Sequence, residues 1–251
     1  MKRILIFLYG VVSYVVFLVA FVYAIGFVCN LGVPKSIDMG TPGSLWSALL
    51  LDVALLTLFA VQHSVMARPA FKRMWIRLVP PAAERSTFVL LASLILLLLY
   101  WQWAPATGTV WHAENAVLKG VLLGCALAGW LIVLLATFMI NHFDLFGLKQ
   151  VYDHLTRRAP AAISFKTKGL YRVVRHPIML GFLIGFWFTP HMTVGHLLFA
   201  GVTTGYILLA LLFEEHDLVE SLGEPYRAYR QRVPKLIPFT KSAPKREKVL
   251  H

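Results

Sequence analysis

Residues 165–238 begin F-K-T-K-G-L-Y-R-V-V-R-H-P-I-M-L-G and end E-E-H-D-L-V-E-S-L-G-E-P-Y-R-A-Y-R-Q-R-V-P-K-L-I-P. Two apolar arms, residues 177–189 and 194–213, lie between the polar ends. The first arm is too short to cross a bilayer, since a spanning helix needs about 20 residues, and the two arms joined would be far too long. Pro190 and Gly195 stand at the junction. The segment therefore predicts a helical hairpin with both ends at one face of a membrane.

Composition indicates a protein with several membrane spans. The 251 residues are 58% hydrophobic, and the mean hydropathy is +0.69. Lys and Arg fall in four clusters, at 2–3, 68–85, 149–175 and 227–248, with only Lys35 and Lys119 elsewhere. The positive-inside rule then places both termini in the cytoplasm and requires an even number of crossings. The formal net charge is +12 at pH 7, and we expect these basic residues to bind anionic membrane lipid and not nucleic acid.

Four further apolar runs precede the hairpin, at residues 4–28, 45–66, 86–103 and 117–140. The predicted fold is all-α: a polytopic integral membrane helix bundle of about five to six membrane segments, including the C-terminal hairpin. Residues 1–140 form the N-terminal bundle of four spans. Residues 141–239 contain an inner loop, the hairpin and a cytosolic amphipathic helix from Glu214, and residues 240–251 form a basic tail.

Glycine pairs with four-residue spacing occur in three of the apolar runs. They are Gly120 with Gly124, Gly181 with Gly185, and Gly201 with Gly205. Small residues at this spacing let two helix backbones approach closely in lipid. The sequence therefore predicts close helix contacts at all three places.

Ionisable residues recur near the predicted inner ends of the spans. They are His63, His142 with Asp144, Arg175 with His176, and Glu214 with Glu215. Because these residues come from different segments, the bundle should gather them at one depth beneath the cytoplasmic headgroups. Such a cluster in a membrane protein is typical of a binding or active site.

Two residues of the second span allow more than one interpretation. Asp52 could line a functional path, or it could make a structural hydrogen bond to a neighbouring helix. His63 could line a site or simply be hydrated near the inner end of its span. A proton or ion pathway through both would need polar groups at every depth, and the third span is almost purely apolar.

The residues that flank the hairpin suit a zwitterionic ligand with a cationic centre. Arg175 could bind a carboxylate, and Pro177 begins a helix whose free backbone N–H groups attract anions. Glu214 and Glu215 could bind an ammonium or ribose hydroxyls. Aromatic side chains available to face a cation are Phe165, Tyr171 and Trp187. These groups together describe S-adenosylmethionine.

Other cofactor motifs are missing from the sequence. It contains no G-x-G-x-x-G, Walker A, H-E-x-x-H or G-x-S-x-G pattern. Its only cysteines are Cys29 and Cys125, and the E-E-H-D run at 214–217 has no other well-placed ligands near it. No metal site is therefore predicted.

The same residues carry a family resemblance. R-H-P-x-x-x-G from Arg175, followed by E-E and G-x-x-Y-x-x-Y from Gly223, resembles the C-terminal signature of the isoprenylcysteine carboxyl methyltransferase superfamily. The signature covers about the last third of the chain. Q-H-S-V-M-A-R-P-A-F-K-R at 62–73 and E-R-S at 84–86 resemble the nurim-like branch. With N-H-F-D-L-F-G-L-K-Q at 141–150, the full length is similar to a family of bacterial thiol methyltransferases that convert methanethiol to dimethyl sulfide.

The resemblance implies the cofactor, the substrate and the site. The cofactor would be S-adenosylmethionine, the substrate a small volatile thiol, and the location the bacterial inner membrane with the site at its cytoplasmic face. Cofactor contacts are implied for Gln150, Phe165, Tyr171, Arg175, His176, Pro177, Glu214 and Glu215. Carboxyl methyltransferases of prenylated cysteine have basic residues just before their glutamates, which suit a substrate carboxylate. Residues 206–213 of this chain contain no basic residue, a difference that argues against a carboxylate substrate and fits a small apolar one. A methyltransferase of a lipophilic substrate and a non-enzymatic membrane scaffold are the alternatives.

Methylation of a thiol needs an acceptor for the thiol proton, since a simple alkyl thiol is mostly protonated at neutral pH. His142, assisted by Asp144, is the first candidate for this base, and His63 is the second. The alternative is that both histidines hydrogen-bond the ends of helices.

Overall fold

A computed structural model describes residues 1–41, 43–159 and 167–240. Phe165 and the predicted basic tail beyond Thr240 lie outside the described residues. The α-helices are α1 (Lys2–Cys29), α2 (Leu45–Ala67), α3 (Pro69–Trp75), α4 (Glu84–Gln102), α5 (Ala116–Ile140), α6 (His142–Leu145), α7 (Leu148–Thr156), α8 (Pro177–Trp187), α9 (Val194–Leu222) and α10 (Glu224–Arg232). The strands are β1 (Thr109–His112) and β2 (His191–Thr193), and short 3-10 helices lie at Pro81–Ala83 and Gly169–Arg172.

Helices α1, α2, α4, α5 and α9 are the five in the described part of the chain that are long and apolar enough to cross a membrane. Each of these helices covers one of the long apolar runs of the sequence. An apolar segment of this length forms a helix in a membrane because only a helix satisfies its backbone hydrogen bonds within lipid. The chain is an integral membrane protein, and the predicted polytopic helical bundle is confirmed.

The predicted hairpin is formed by α8, β2 and α9. Strand β2 pairs antiparallel with β1, which belongs to the connection between α4 and α5, with His112 opposite His191. Val194 N–H also donates to the Gly108 carbonyl at 2.8 Å. These bonds place the hairpin turn and the α4–α5 connection at one end of the bundle, called here the β end. The polar residues before α8 lie at the opposite end, called here the Glu215 end.

Helix α8 packs backbone to backbone against α5. A Cβ built on Gly129 would lie 2.7 Å from the Gly181 carbonyl oxygen and 2.7 Å from the Gly185 backbone nitrogen. The close contact predicted for Gly181 and Gly185 is therefore present, with Gly129 as its partner.

The close contacts predicted for the other two glycine pairs are wrong. Among the described residues, a Cβ built on Gly120, Gly124, Gly201 or Gly205 would meet no atom within 4 Å apart from its chain neighbours and its own helix backbone. These glycines are exposed on the outer faces of α5 and α9. The spacing rule identifies positions where two helices can approach, but it does not determine which faces meet.

Asp52 ties α2 to the end of α4. Its Oδ1 accepts a hydrogen bond from the Ala104 backbone N–H at 2.9 Å, and the residue is 0% exposed. The neighbouring Trp103 is also 0% exposed and donates its indole N–H to the Ile37 carbonyl. This geometry supports the structural interpretation of Asp52.

The predicted amphipathic helix from Glu214 is divided differently. Helix α9 continues through Glu214 to Leu222, Gly223 has φ 62°, and α10 begins at Glu224. A left-handed glycine followed by Pro225 ends one helix and starts the next, because proline lacks the N–H that a continuous helix would use. Tyr226 and Tyr229, on the apolar side of this segment, are buried.

Candidate active site

An ion pair between Arg175 and Glu215 lies at the centre of the Glu215 end. Arg175 Nε is 2.7 Å from Glu215 Oε1, and the two side chains are 7% and 6% exposed. Glu215 Oε2 is 3.6 Å from Arg230 Nε and 3.7 Å from Lys235 Nζ. Because both partners are buried, loss of either one would leave a poorly solvated, unpaired charge and would strongly destabilise the protein.

Arg175 also holds the segment after α10. Its Nη1 donates to the carbonyls of Arg230 at 3.0 Å and Val233 at 2.6 Å. The backbone N–H of Arg175 donates to the Pro234 carbonyl at 2.8 Å. Arg175 is therefore bound to the protein through Nε, Nη1 and its backbone, and it fixes the position of the chain that closes this end.

His176 lies between the two glutamates, whose environments differ. Its Nε2 is 3.1 Å from Glu215 Oε1, and its Nδ1 is 3.7 Å from Glu214 Oε2. Because an ionised carboxylate can only accept a hydrogen bond, Nε2 is protonated and donates its N–H to Glu215. The Glu214 side chain is 48% exposed, whereas that of Glu215 is 6% exposed. Of the pair, Glu214 is the carboxylate accessible to a ligand.

The start of α8 adds backbone donors beside these groups. Pro177 occupies the first turn of α8, and this 11-residue helix has its N-terminus next to His176. Tyr171 lies in the preceding 3-10 helix, and its carbonyl accepts from the Tyr229 hydroxyl at 2.6 Å. Burial, with a contribution from Glu214, raises the pKa of Tyr171, so the phenol stays neutral.

Trp187 was predicted to be available to a ligand cation, and the structure does not place it at this end. It is the last residue of α8, and its indole N–H donates to Thr204 Oγ1 at 2.9 Å. Trp187 lies ten positions after Pro177 in the same helix, a distance of about 15 Å along the axis.

Gln150 and Asp144 form a second polar group, on α7 and α6. Gln150 Nε2 donates to Asp144 Oδ1 at 2.9 Å, and Gln150 Oε1 is buried with no hydrogen-bond partner in the described part of the chain. Arg85 Nε donates to the neighbouring Leu145 carbonyl at 2.7 Å. Gly147, with φ 87°, packs against Ser86, so α4 positions the start of α7.

His142 is enclosed between α1 and α5. Its Nδ1 is 2.8 Å from Thr137 Oγ1, and its Nε2 is 2.7 Å from the Tyr14 hydroxyl. Thr137 gives its own proton to the Leu134 carbonyl, so Nδ1–H must donate to Thr137, and Nε2 accepts from Tyr14. The ring is 3% exposed, and burial lowers the pKa of His142. Asp144 contacts Gln150 and neither nitrogen of His142.

His63 lies among aromatic rings contributed by three helices. Its ring centroid is 5.3 Å from that of Phe59, 5.0 Å from that of Phe88 and 6.5 Å from that of Tyr206. The His63 Nδ1 atom is buried, and within the described ranges it has no hydrogen-bond partner. This nitrogen is free to contact a ligand, but other buried atoms of the described residues, among them Asp52 Oδ2 and His196 Nδ1, share the same property.

Contacts between helices bring these groups to one end of the bundle. The Arg85 guanidinium lies 4.9 Å from the centre of the Phe88 ring, which joins His63 to the Gln150 group. Arg68, at the end of α2, forms an ion pair with Asp217 at 3.0 Å, three residues beyond Glu214. The sequence did not identify Arg85, Phe88 or Tyr206 as site residues, although Arg85 belongs to the E-R-S motif.

A cluster of possible metal ligands lies on the adjacent surface of α9. Ligand atoms of His216, Asp217 and Glu220 lie within 4.8 Å of one another. Asp217 is already paired with Arg68, and His216 and Glu220 are exposed. The cluster is an ordinary arrangement of surface charges.

The family is shown by comparison with known proteins. A family model described as NnrU protein matches residues 51–236. The chain belongs to the NnrU family. The match to the NnrU model includes the Glu215 network, Gln150 and His63, which are the groups that the structure gathers at one end.

Named relatives cover nearly the whole of this NnrU-family chain. Methanethiol S-methyltransferase 2 of Bradyrhizobium diazoefficiens is 54% identical over 236 residues, which is 94% of this chain and 91% of the relative. Methanethiol S-methyltransferase of Mycobacterium tuberculosis is 54% identical over 239 residues, 95% and 98% of the two chains. Nurim of Mus musculus is 31% identical over 188 residues, 70% of each. The predicted resemblances to bacterial thiol methyltransferases and to the nurim-like branch are confirmed. No solved structure gives a significant match.

Proposed function

We propose that this protein methylates methanethiol to dimethyl sulfide with S-adenosylmethionine as the methyl donor, at the Glu215 end of the bundle. The observation that carries the proposal is the 54% identity to proteins named methanethiol S-methyltransferase over at least 94% of this chain. The placement of that end in the cytoplasm stays a prediction from the charge pattern.

The residues at the Glu215 end fit the proposed donor. Glu214 offers an accessible carboxylate to an ammonium or ribose hydroxyl, and the N-terminus of α8 offers backbone N–H groups to a carboxylate. The unpartnered Gln150 Oε1 offers one further acceptor. Arg175 and Glu215 are already bound to each other, so their role is to hold α10 and the Pro234 segment in place.

S-adenosylmethionine supplies a methyl group carried on a sulfonium sulfur. The residues of this chain must hold the thiol in line with that methyl group, remove the thiol proton and keep water out. The thiol sulfur would then form its bond to the methyl carbon as the bond between that carbon and the sulfonium sulfur breaks. The thiol proton would pass to a base, and S-adenosylhomocysteine would be the leaving group. Exclusion of water favours the step, because a thiolate and a sulfonium neutralise each other.

The geometry favours His63 as the base. Its buried Nδ1 lacks a partner among the residues described, and the surrounding rings of Phe59, Phe88 and Tyr206 leave an apolar environment suited to a small thiol. Both nitrogens of His142 are occupied by Tyr14 and Thr137. His142 could take the thiol proton only if Tyr14 relayed it.

We therefore expect His63→Ala to lower kcat by about 100-fold or more while S-adenosylmethionine binding is preserved, because a positioned base contributes at least that factor. His142→Ala should instead destabilise the bundle by about 1–3 kcal/mol, since it leaves the Tyr14 hydroxyl without an acceptor. Single-turnover kinetics and thermal unfolding of both variants test the assignment. A 100-fold loss of kcat in His142→Ala with normal turnover by His63→Ala would reverse it.

Headspace gas analysis tests the function itself. Cells that express the intact chain and receive methanethiol should release dimethyl sulfide, and cells that express Glu214→Gln should release far less. Glu214→Gln is a near-isosteric change of a half-exposed side chain, so the fold should survive. If the purified intact chain binds S-adenosylmethionine and forms no dimethyl sulfide, methanethiol is not its substrate.

A further inference from the structure

Two cavities lie on the membrane side of the bundle, between α2 and α9. The larger has a volume of about 310 Å³ and the smaller about 110 Å³. Tyr206 lines both, so its side chain stands between them. Val65 and Leu209, which line the larger cavity, are 46% and 55% exposed on the surface that faces lipid. The cavities therefore form one interrupted groove along the two helices, called here the Tyr206 groove.

Tyr206 also contacts His63, which itself lines neither cavity. Its hydroxyl is 3.2 Å from Ser64 Oγ, a hydrogen bond that joins α9 to α2. Its ring stands edge-on to His63, with 6.5 Å between centroids, and edge-on to Phe59, with 6.4 Å. A connection between the groove and the His63 imidazole would require displacement of the Tyr206 side chain, beside which the Phe59 ring lies 5.3 Å from that of His63.

The lining of the groove suits an uncharged ligand. Arg68, the one cationic residue among the described residues of the lining, is paired with Asp217 at 3.0 Å and lies 4.8 Å from the centre of the Phe213 ring. The other polar groups of the lining are hydroxyls. A lipid phosphate would find no unpaired cation there, and a charged methyl donor would be poorly solvated. A small thiol or thioether loses little by leaving water for this surface.

We propose that the Tyr206 groove is the passage through which the uncharged thiol enters from the bilayer and the thioether leaves, and that Tyr206, held by Ser64, closes it. The proposal rests on the proposed function. It divides the two reactants by charge: the charged donor reaches the Glu215 end from water, and the apolar acceptor reaches His63 from lipid.

Matched tryptophan substitutions test the passage. Ala210 lines the larger cavity, whereas Leu208 lies on the same helix, is 49% exposed and lines neither cavity. Ala210→Trp should lower kcat/KM for methanethiol by about tenfold or more, while Leu208→Trp should change it less than about twofold. Both variants should bind S-adenosylmethionine as the intact chain does, measured by calorimetry in lipid nanodiscs.

A second pair of tryptophan substitutions, in α2, tests the passage independently in case Ala210→Trp does not fold. Ala60 lines the smaller cavity, whereas Leu58 is 45% exposed and lines neither cavity. Ala60→Trp should therefore lower kcat/KM for methanethiol, and Leu58→Trp should leave it nearly unchanged. Tyr206→Phe, which removes the hydrogen bond to Ser64, should raise the rate with propanethiol relative to methanethiol.

The outcomes separate this proposal from the proposed function. An intact chain without methanethiol methylation overturns both. An active intact chain, with equal rates for the two members of each tryptophan pair, overturns the passage alone and leaves the function standing. A loss of S-adenosylmethionine binding in Ala210→Trp and Ala60→Trp, but not in their controls, would assign the groove to the donor and also overturn the passage.

Discussion

Glu215→Ala is expected to destabilise the protein by about 3–5 kcal/mol and to abolish methyl transfer, because it leaves a buried charge without its partner. Arg175, 7% exposed, would lose the carboxylate 2.7 Å from its Nε. Arg230 and Lys235 would lose their shared anion as well. We expect the segment that contains α10 to detach from α8. Thermal unfolding in detergent should give a lower melting temperature than that of the intact chain. Limited proteolysis should cleave the variant earlier than the intact chain, at sites within the segment that follows Gly223.

Glu214→Gln is the matched control for this change. It alters the neighbouring residue of the same helix, but the Glu214 side chain is 48% exposed and its nearest cationic group, His176 Nδ1, is 3.7 Å away. Such partly exposed pairs contribute little to stability. The control should melt near the intact chain and bind S-adenosylmethionine about tenfold or more weakly, as expected for loss of a charge-assisted hydrogen bond. Equal melting temperatures for Glu215→Ala and Glu214→Gln would show that the Arg175 pair does not hold α10.

Gly129→Ala is expected to separate α5 from α8. The new methyl group would lie 2.7 Å from two backbone atoms of α8 and 2.9 Å from Ile184 Cγ2, and backbone atoms cannot rotate out of the way. Overpacking of this kind costs about 1–3 kcal/mol, sometimes more. Because Pro177 begins α8 beside His176, displacement of α8 should also weaken S-adenosylmethionine binding.

Gly124→Ala, on the same helix, is the comparison variant. A Cβ on Gly124 would meet no atom of the described residues within 4 Å apart from its chain neighbours and its own helix backbone. Alanine there should leave the stability unchanged or raise it by up to about 1 kcal/mol, since alanine favours a helix over glycine. Melting temperatures in detergent and donor affinity by calorimetry compare the two. If Gly129→Ala melts at the temperature of Gly124→Ala, the contact between α5 and α8 is looser than the structure shows.

The sequence by itself determined the apolar spans and the hairpin, and it predicted that the polar residues collect towards one end of the bundle. These features depend on local properties: about 20 apolar residues cross a bilayer, a shorter run with Pro190 and Gly195 must turn back, and basic residues collect on one side. The sequence therefore predicts Asp144, His176 and Glu214 near the inner ends of apolar spans, although α9 itself continues eight residues beyond Glu214.

Tertiary structure alone decided how neighbouring residues divide their roles. Glu214 and Glu215 are adjacent and chemically identical. Because adjacent side chains of a helix point about 100° apart, Glu215 faces Arg175 and Glu214 stays accessible. Likewise, the i, i+4 spacing of Gly181 with Gly185 is shared by two other pairs, but among the described residues only Gly181 and Gly185 pack against another helix through a glycine, Gly129 of α5. His63 and His142 were both candidates for the base, and their surroundings separate them. The physical reason is the same in each case: charge, hydropathy and spacing belong to one segment, whereas burial and partners depend on which helix faces meet.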